Sequence, residues 1–171
     1  NALPKRVLHV VESLRPQDGG PSNSVPRLYR ERINQGFCDL IYTVHSNPKD
    51  TPSEFRQNSY KSYLGKLRFS PTLIVAMVKH HRSYNLVHLN CIWNLVFLSA
   101  YLLAKVYKKK IIVSTRGMMR LDYINQFPIR KVYLKLVIKH LFKRVDYIHI
   151  TSEWERSDIE KLDVKKTKIK L

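Results

Sequence analysis

Short unbroken apolar runs alternate with segments of helical period along this chain. Val7 to Val11 is the first such run, and the polar loop Ser13 to Gly20 follows it. Pro21 suits the first turn of a helix, where its missing N–H is one of the groups left unbonded anyway. That helix is expected to reach about Gln35, with Gly36 as its stop. Phe37 to Val44 reads as a second buried strand. His45 to Gly65, broken by Asn47-Pro48 and Thr51-Pro52, reads as loop. Ser70-Pro71 opens a helix whose apolar positions, Leu73, Ile74, Met77 and Val78, keep a helical period to about Ser83. Asn85 to Leu89 predicts a strand, Ile92 to Tyr107 an apolar helix and Lys110 to Ser114 another strand. A loop through Phe127 leads to a helix from Pro128 to about Arg144. Asp146 to Ile150 is then a strand. Thr151-Ser152 begins the last helix, with Ser152 and Glu155 forming a capping box and an end near Leu162. Lys168 to Leu171 starts a further strand.

The predicted order is βαβ-αβαβαβα-β. Strands that are continuously apolar, not alternating, are covered on both faces, which indicates a parallel sheet between helices. The expected fold class is α/β, a Rossmann-like, doubly wound, mostly parallel sheet formed by residues 1–171 as a single domain. In such sheets ligands bind beyond the carboxyl ends of the strands, so the segments just after each strand carry the candidate chemistry. After the first strand, Asp18-Gly19-Gly20-Pro21-Ser22 leads into a helix. The glycines let the backbone approach a ligand, and the helix start offers free N–H groups to a phosphate or carboxylate. The segment is not GxGxxG, and a plain turn with a helix cap fits it as well. After the third strand come His88, Asn90 and Trp93. A satisfied core histidine and a tryptophan packed under the next helix are the competing readings there. After the fourth strand, Arg116 has the planar guanidinium that suits bidentate contact with phosphate or carboxylate, and Gly117 allows a sharp turn beside it.

Charge sharpens the picture. The formal net charge is +18 over 171 residues. Residues 105–144 hold 12 Lys and Arg against one acid, Asp122. Within the helix from Pro128, Lys131, Lys135, Lys139 and Lys143 are spaced four apart and flanked by Arg130 and Arg144. Ile129, Val132, Tyr133, Leu136, Val137 and Phe142 make its apolar side. A basic amphipathic helix of this kind lies on an anionic membrane surface or is simply a solvated face. The histidines are scattered and the two cysteines, Cys38 and Cys91, lie far apart, so no metal site is expected. The cysteines are expected to be reduced thiols of a cytoplasmic protein. The longest apolar stretch, Leu95 to Ala104, is shorter than the roughly 20 residues a membrane span needs.

Several segments together resemble family-4 glycosyltransferases of the GT-B fold: Val7-Leu8-His9-Val10-Val11-Glu12-Ser13, Gly19-Gly20-Pro21-Ser22, Val87-His88-Leu89 with Trp93, Val113 through Met119, and Val145 through Glu153. Asn90 stands where the family usually has a second histidine, and Arg116 where many members have histidine. The resemblance implies an N-terminal, acceptor-side Rossmann-like domain. A second domain, carrying the sugar nucleotide and a carboxylate pair, is expected to lie outside this chain. Transfer would retain the anomeric configuration and need no cofactor and no metal. Gly19, Gly20 and Ser22 would approach the donor phosphate, and Arg116 and His88 would stand at the reaction centre. Asn90, Trp93, Gly117 and Met118 would shape the acceptor wall.

The expected partners are a nucleotide sugar, bound with the other domain, and a glycan or lipid-linked acceptor of polysaccharide synthesis. Arg130, Lys131, Lys135, Lys139 and Lys143 would hold the protein peripherally on the inner face of the cell membrane. By itself this half is expected to be inactive. The alternative is a basic α/β module that binds a polyanion, nucleic acid or anionic membrane, without catalysis. The lack of an RNP-like aromatic run, zinc finger or helix-turn-helix spacing argues against nucleic acid.

Overall fold

The computed structural model describes residues 6–45 and 51–171. The strand order is β3-β2-β1-β4-β5-β6-β7, for β1 (Val7–Val11), β2 (Leu40–His45), β3 (Ser59–Lys61), β4 (Leu86–Leu89), β5 (Lys110–Ser114), β6 (Tyr147–His149) and β7 (Ile169–Lys170). β1 pairs with β2 and β4, β2 with β3, β5 with β6 and β6 with β7, all in parallel. From β1 the chain winds outward through β2 and β3, then returns to the other side of β1 as β4. That reversal makes the fold doubly wound. The chain packs as two compact units, residues 1–111 and 112–171.

In the first unit, β1 lies at the centre and four of its five residues are buried. α1 (Gly20–Asn34) follows it, with Gly19 as its N-cap and Pro21 in its first turn. The helix ends as expected at Gly36, whose φ of 85° belongs to the left-handed region. The Phe37 N–H then reaches back to the Arg32 carbonyl at 3.0 Å, closing the end of the helix. Val11, Leu14, Val25, Ile41 and Phe55 form a buried cluster beside β1, with Tyr29 packed against it. α2 (Pro71–Lys79) is capped by the Ser70 hydroxyl, which accepts from Leu73 N–H.

Two expectations in this unit needed correction. The stretch read as loop from His45 contains β3, three residues paired in parallel with Thr43–His45. A strand of three residues at a sheet edge leaves almost no hydrophobic period to read. The breaker Asn47-Pro48 lies outside the described residues. The apolar helix starts later than Ile92: α3 (Leu95–Val106) is capped by Asn94, whose side chain accepts from Phe97 N–H at 2.9 Å. Cys91 and Ile92 are apolar because they are buried before the helix begins.

In the second unit, β6 lies between β5 and β7. The loop expected through Phe127 contains a short helix, α4 (Leu121–Asn125). The predicted single helix from Pro128 is α5 (Pro128–Tyr133), a π-helical stretch from Leu134 to Ile138, and α6 (Lys139–Arg144). α7 (Glu153–Glu160) closes the unit before β7. Its expected capping box does not form. Ser152 sits at the N-cap position without a side-chain bond, and the Glu155 carboxylate is used elsewhere.

Candidate functional site

β1 and β4 are neighbours in the sheet but depart in opposite winding directions, so the crevice beyond their carboxyl ends is the switch point where such folds take ligands. The carboxyl ends of these two strands and the segments that follow them carry six of the expected site residues, Gly19, Gly20, Ser22, His88, Asn90 and Trp93. Gly19 has φ 105° and ψ −164°, a conformation open to glycine alone. Gly20 has an ordinary backbone, and a Cβ added there meets nothing within 4 Å. The fold itself therefore does not require glycine at position 20.

The loop before these glycines is braced by its own side chains. Ser13 Oγ donates to Asp18, and Arg15 grips the same carboxylate with two bonds of 2.9 Å. Burial acts to raise the Asp18 pKa, but the Arg15 and Ser13 bonds outweigh it and hold the group below its ordinary value. Ser22 is buried and gives its proton to the Ser13 carbonyl at 3.0 Å, so its hydroxyl stabilises the loop. Arg68, itself at φ 45°, pairs with Glu12 at 2.7 Å and donates to the Glu12 carbonyl.

On the β4 side, Asn90 is buried and ties the two strand ends together. Its backbone N–H donates to the Val10 carbonyl at 2.9 Å and its side-chain amide to the His88 carbonyl at 3.2 Å. Trp93 is half-buried in the same segment. His88 lies inside β4, directly opposite His9 of β1. The two Nδ1 atoms are 3.1 Å apart, and His9 Nε2 is 3.4 Å from Asp39. Asp39 also accepts from Val7 N–H and from both Arg32 Nε and Nη2. The sequence pointed to His88 alone. Its partners were not foreseen, although Asp39 is a lone acid inside an apolar run, and a buried charge implies a partner.

The second unit places Arg116 and Gly117 just after β5, with consecutive positive φ values of 46° and 78°. A left-handed arginine is uncommon and is held only where its surroundings dictate it. The holder is Glu155. Its buried carboxylate accepts from Gly117 N–H at 2.6 Å, from Thr151 N–H at 2.9 Å and from the Thr151 hydroxyl at 3.2 Å. Met118 N–H bonds the Thr115 carbonyl at 2.9 Å and completes the turn. Beside it, Ser114 Oγ lies 2.9 Å from His149 Nδ1. Burial, then the charge of Arg116, lowers the His149 pKa, with Glu155 acting in opposition. Burial also lowers that of Arg116, which stays a cation. Arg116 thus stands half-buried beside an imidazole that takes up a proton less readily than a free one. Among the described residues no group of three or more His, Cys, Asp or Glu is arranged to hold a metal ion.

The basic helix differs from its predicted form. Leu134, Ile138, Leu141 and Phe142 face inward, while Ile129, Val132 and Leu136 are 85%, 57% and 70% exposed. The expected apolar side is thus largely a solvent face, shared with Lys131 and Lys135. The π-helical turn, with more than 3.6 residues per turn, shifts which residues point inward. Lys139 and Lys143 are both within reach of Asp163, at 2.7 and 3.5 Å.

No protein-family model and no curated protein matches this chain. Solved structures do. A structure of Anabaena Alr3699/HepE in complex with UDP and glucose superposes with a TM-score of 0.65 at 12% identity, over 97% of this chain and 43% of that one. A putative UDP-N-acetylglucosamine 2-epimerase from Listeria monocytogenes gives 0.63 at 11%, over 98% and 44%. UDP-GlcNAc 2-epimerase from Methanocaldococcus jannaschii gives 0.54 at 11%, over 97% and 44%. The chain therefore spans less than half the length of each of these proteins, and what it shares with them is the fold, a Rossmann-like α/β domain of the GT-B type.

Proposed function

We propose that this chain is the acceptor-side half of a retaining glycosyltransferase that moves a sugar from a nucleotide-sugar donor to a glycan or lipid-linked acceptor. The observation that carries the reading is Gly20. It follows a strand at the switch point, opens a helix and has open space where a side chain would sit, although its backbone is ordinary. Backbone N–H groups at such a helix start receive phosphate when nothing covers them. UDP or a UDP-sugar is the natural occupant to test, as the structurally similar HepE was crystallised with UDP-glucose. In this reading Gly19 holds the turn, Gly20 leaves room for the diphosphate, and Ser22 supports the loop. His88, with Asn90 and Trp93, acts on the acceptor side of this crevice, and Arg116, with Gly117 and Met118, is proposed separately as a substrate contact of the second unit. No metal and no cofactor enters the proposed reaction.

The test is transfer from a panel of nucleotide sugars by the full-length protein. Arg116→Ala is expected to abolish transfer with the fold intact, since alanine meets the same backbone demand at φ 46°. Unchanged turnover in that variant removes Arg116 from the site.

A second element of the proposal concerns location. Ile129, Val132 and Leu136 stand exposed among Arg130, Lys131 and Lys135. That combination suits the surface of an anionic bilayer, with apolar groups entering the headgroup region and lysines pairing with lipid phosphates. No helix among the described residues is long and apolar enough to cross a membrane. The competing use of the charge, polyanion binding without catalysis, predicts selective nucleic-acid binding at physiological salt.

A further inference from the structure

We infer that the loop from Ser62 to Phe69 is a bilayer-contacting tip, and that the acceptor brought to the crevice is accordingly lipid-linked. The second half rests on the proposed transferase reading; the first does not. The loop follows β3 at the carboxyl rim of the sheet. Tyr63 and Phe69 close it with two backbone bonds, 2.7 Å from Tyr63 N–H and 2.9 Å from Phe69 N–H. Between them Leu64, at φ 64° and ψ 29°, opens a single tight turn that ends at Leu67. Leucine is disfavoured in the left-handed region because its Cβ crowds the backbone, whereas glycine and asparagine enter it readily. Leu64 is also 61% exposed, and Tyr63 and Leu67 near it are 47% and 57% exposed. Neither the backbone nor the packing of the core calls for a leucine at position 64; a contact outside the chain does.

The surroundings indicate which contact. Lys61 and Lys66 are exposed in the same segment, and neither makes an ion pair among the described residues. The Lys61 ammonium lies over the Tyr63 ring, 5.4 Å from its centroid. From Phe55 to Ile111 the chain carries ten Lys and Arg and no Asp or Glu. Exposed apolar side chains among cations without acids suit an anionic bilayer, where leucine and tyrosine enter the headgroup region and lysines meet lipid phosphates. To a nucleic acid the leucines offer neither a stacking face nor a hydrogen bond. Arg68, also left-handed, anchors the loop to the end of β1. Its Nε lies 2.7 Å from the Glu12 carboxylate and its Nη1 donates to the Glu12 carbonyl at 3.2 Å. Glu12 follows β1 directly, at the switch point. Tip and crevice are therefore held at one rim, and a bilayer at the tip lies at the mouth where a lipid-linked acceptor presents its sugar. The hydrogen bonds of the loop fix its shape before it docks, which lowers the ordering cost of binding. This is a contact of the first unit, additional to the one proposed for α5.

The experiment is co-sedimentation of the full-length protein with vesicles of phosphatidylcholine and phosphatidylglycerol in equal parts, and of phosphatidylcholine alone, for the wild type, Leu64→Asn and Leu67→Gln. Asparagine meets the left-handed demand, so Leu64→Asn is expected to match or exceed the thermal midpoint of the wild type. Its affinity for the anionic vesicles is expected to fall about tenfold, the share of one leucine moved from lipid back to water. Leu67→Gln is expected to fall likewise, and the wild type to bind phosphatidylcholine alone far more weakly. A wild type that does not bind the anionic vesicles overturns the inference. So do folded variants that bind them as tightly as the wild type, the tip then being covered by another part of the full-length protein. For the acceptor, radiolabelled transfer is followed from a nucleotide sugar that binds the wild type into cell-membrane lipid re-formed as vesicles. Label is expected in the lipid fraction, and less of it with Leu64→Asn although nucleotide-sugar binding is unchanged. A lipid fraction left unlabelled by the wild type, or labelled equally by Leu64→Asn, overturns the lipid-linked acceptor. Failure of the transferase reading shows itself separately, as a wild type that binds no nucleotide sugar; co-sedimentation still decides the tip.

Discussion

Gly19 and Gly20 are glycine for different reasons, and the difference separates conformation from ligand contact. Gly19 needs its φ of 105°, so Gly19→Ala is expected to cost about 1–3 kcal/mol of stability, read from denaturant unfolding. Gly20→Ala has no such penalty and is expected to leave the unfolding midpoint nearly unchanged. At His149 the prediction concerns pH. Its folded pKa lies below the ordinary 6.5, so the folded state takes up a proton less readily than the unfolded chain. Stability is therefore full above pH 6.5 and declines as pH falls through the region below it. Replacing His149 with Asn should flatten that part of the curve, measured as thermal midpoints from pH 7.5 to 5; an unchanged slope would mean that His149 is not its source. Asp39 acts lower: its pKa is depressed, largely through its bonds to His9 and Arg32 acting against burial, so its contribution is lost only as pH falls below the ordinary carboxylate range. The sequence singled out Arg116 and the glycines as candidates because residues just after strands are where ligands bind; His88, read in the same way, lies inside β4. It did not reveal His9, Asp39 or Glu155, whose importance arises from contacts across 30 to 79 positions of chain.

The helices and strands were readable where their period was long. β1, β2 and the apolar helix α3 followed from runs of apolar residues, α1 from Pro21 and Gly36 at its ends, and α2 from its period and its Ser70-Pro71 start, whereas the Asn94 cap of α3 was not read. β3 and α4 were missed because three and five residues carry too little period against propensity. The misassigned capping box has a physical reason with a consequence. Glu155 forgoes the N-cap of α7 and bonds Gly117 and Thr151 instead, so one buried carboxylate ties a helix start to the turn that presents Arg116. Glu155→Ala is expected to cost about 1–3 kcal/mol, since it leaves donors unmatched at a buried site, and to lower the proposed sugar transfer beyond that loss. The π-helical turn between α5 and α6 makes a second prediction at this scale. Flotation with liposomes containing anionic lipid should recover the wild type, and Lys131→Glu with Lys135→Glu should reduce that recovery severalfold. Recovery that survives both changes would sink the membrane role of this face.

For the whole molecule, the sequence pattern identified a parallel, doubly wound α/β fold, and the reversal at β1 locates its switch point. The net charge of +18 is a property of the whole chain and favours phosphorylated or lipid-surface partners without choosing among them. The choice rests on the glycine-led helix start at the switch point. The most direct measurement is calorimetric titration of UDP-sugars and other nucleotide sugars into the full-length protein and its Gly20→Ala variant, with thermal unfolding as the control for fold. The account predicts that the wild type binds a nucleotide sugar and that Gly20→Ala, equally stable, binds it at least tenfold more weakly. A wild type that binds none of them, or a Gly20→Ala protein that binds as tightly, would contradict it.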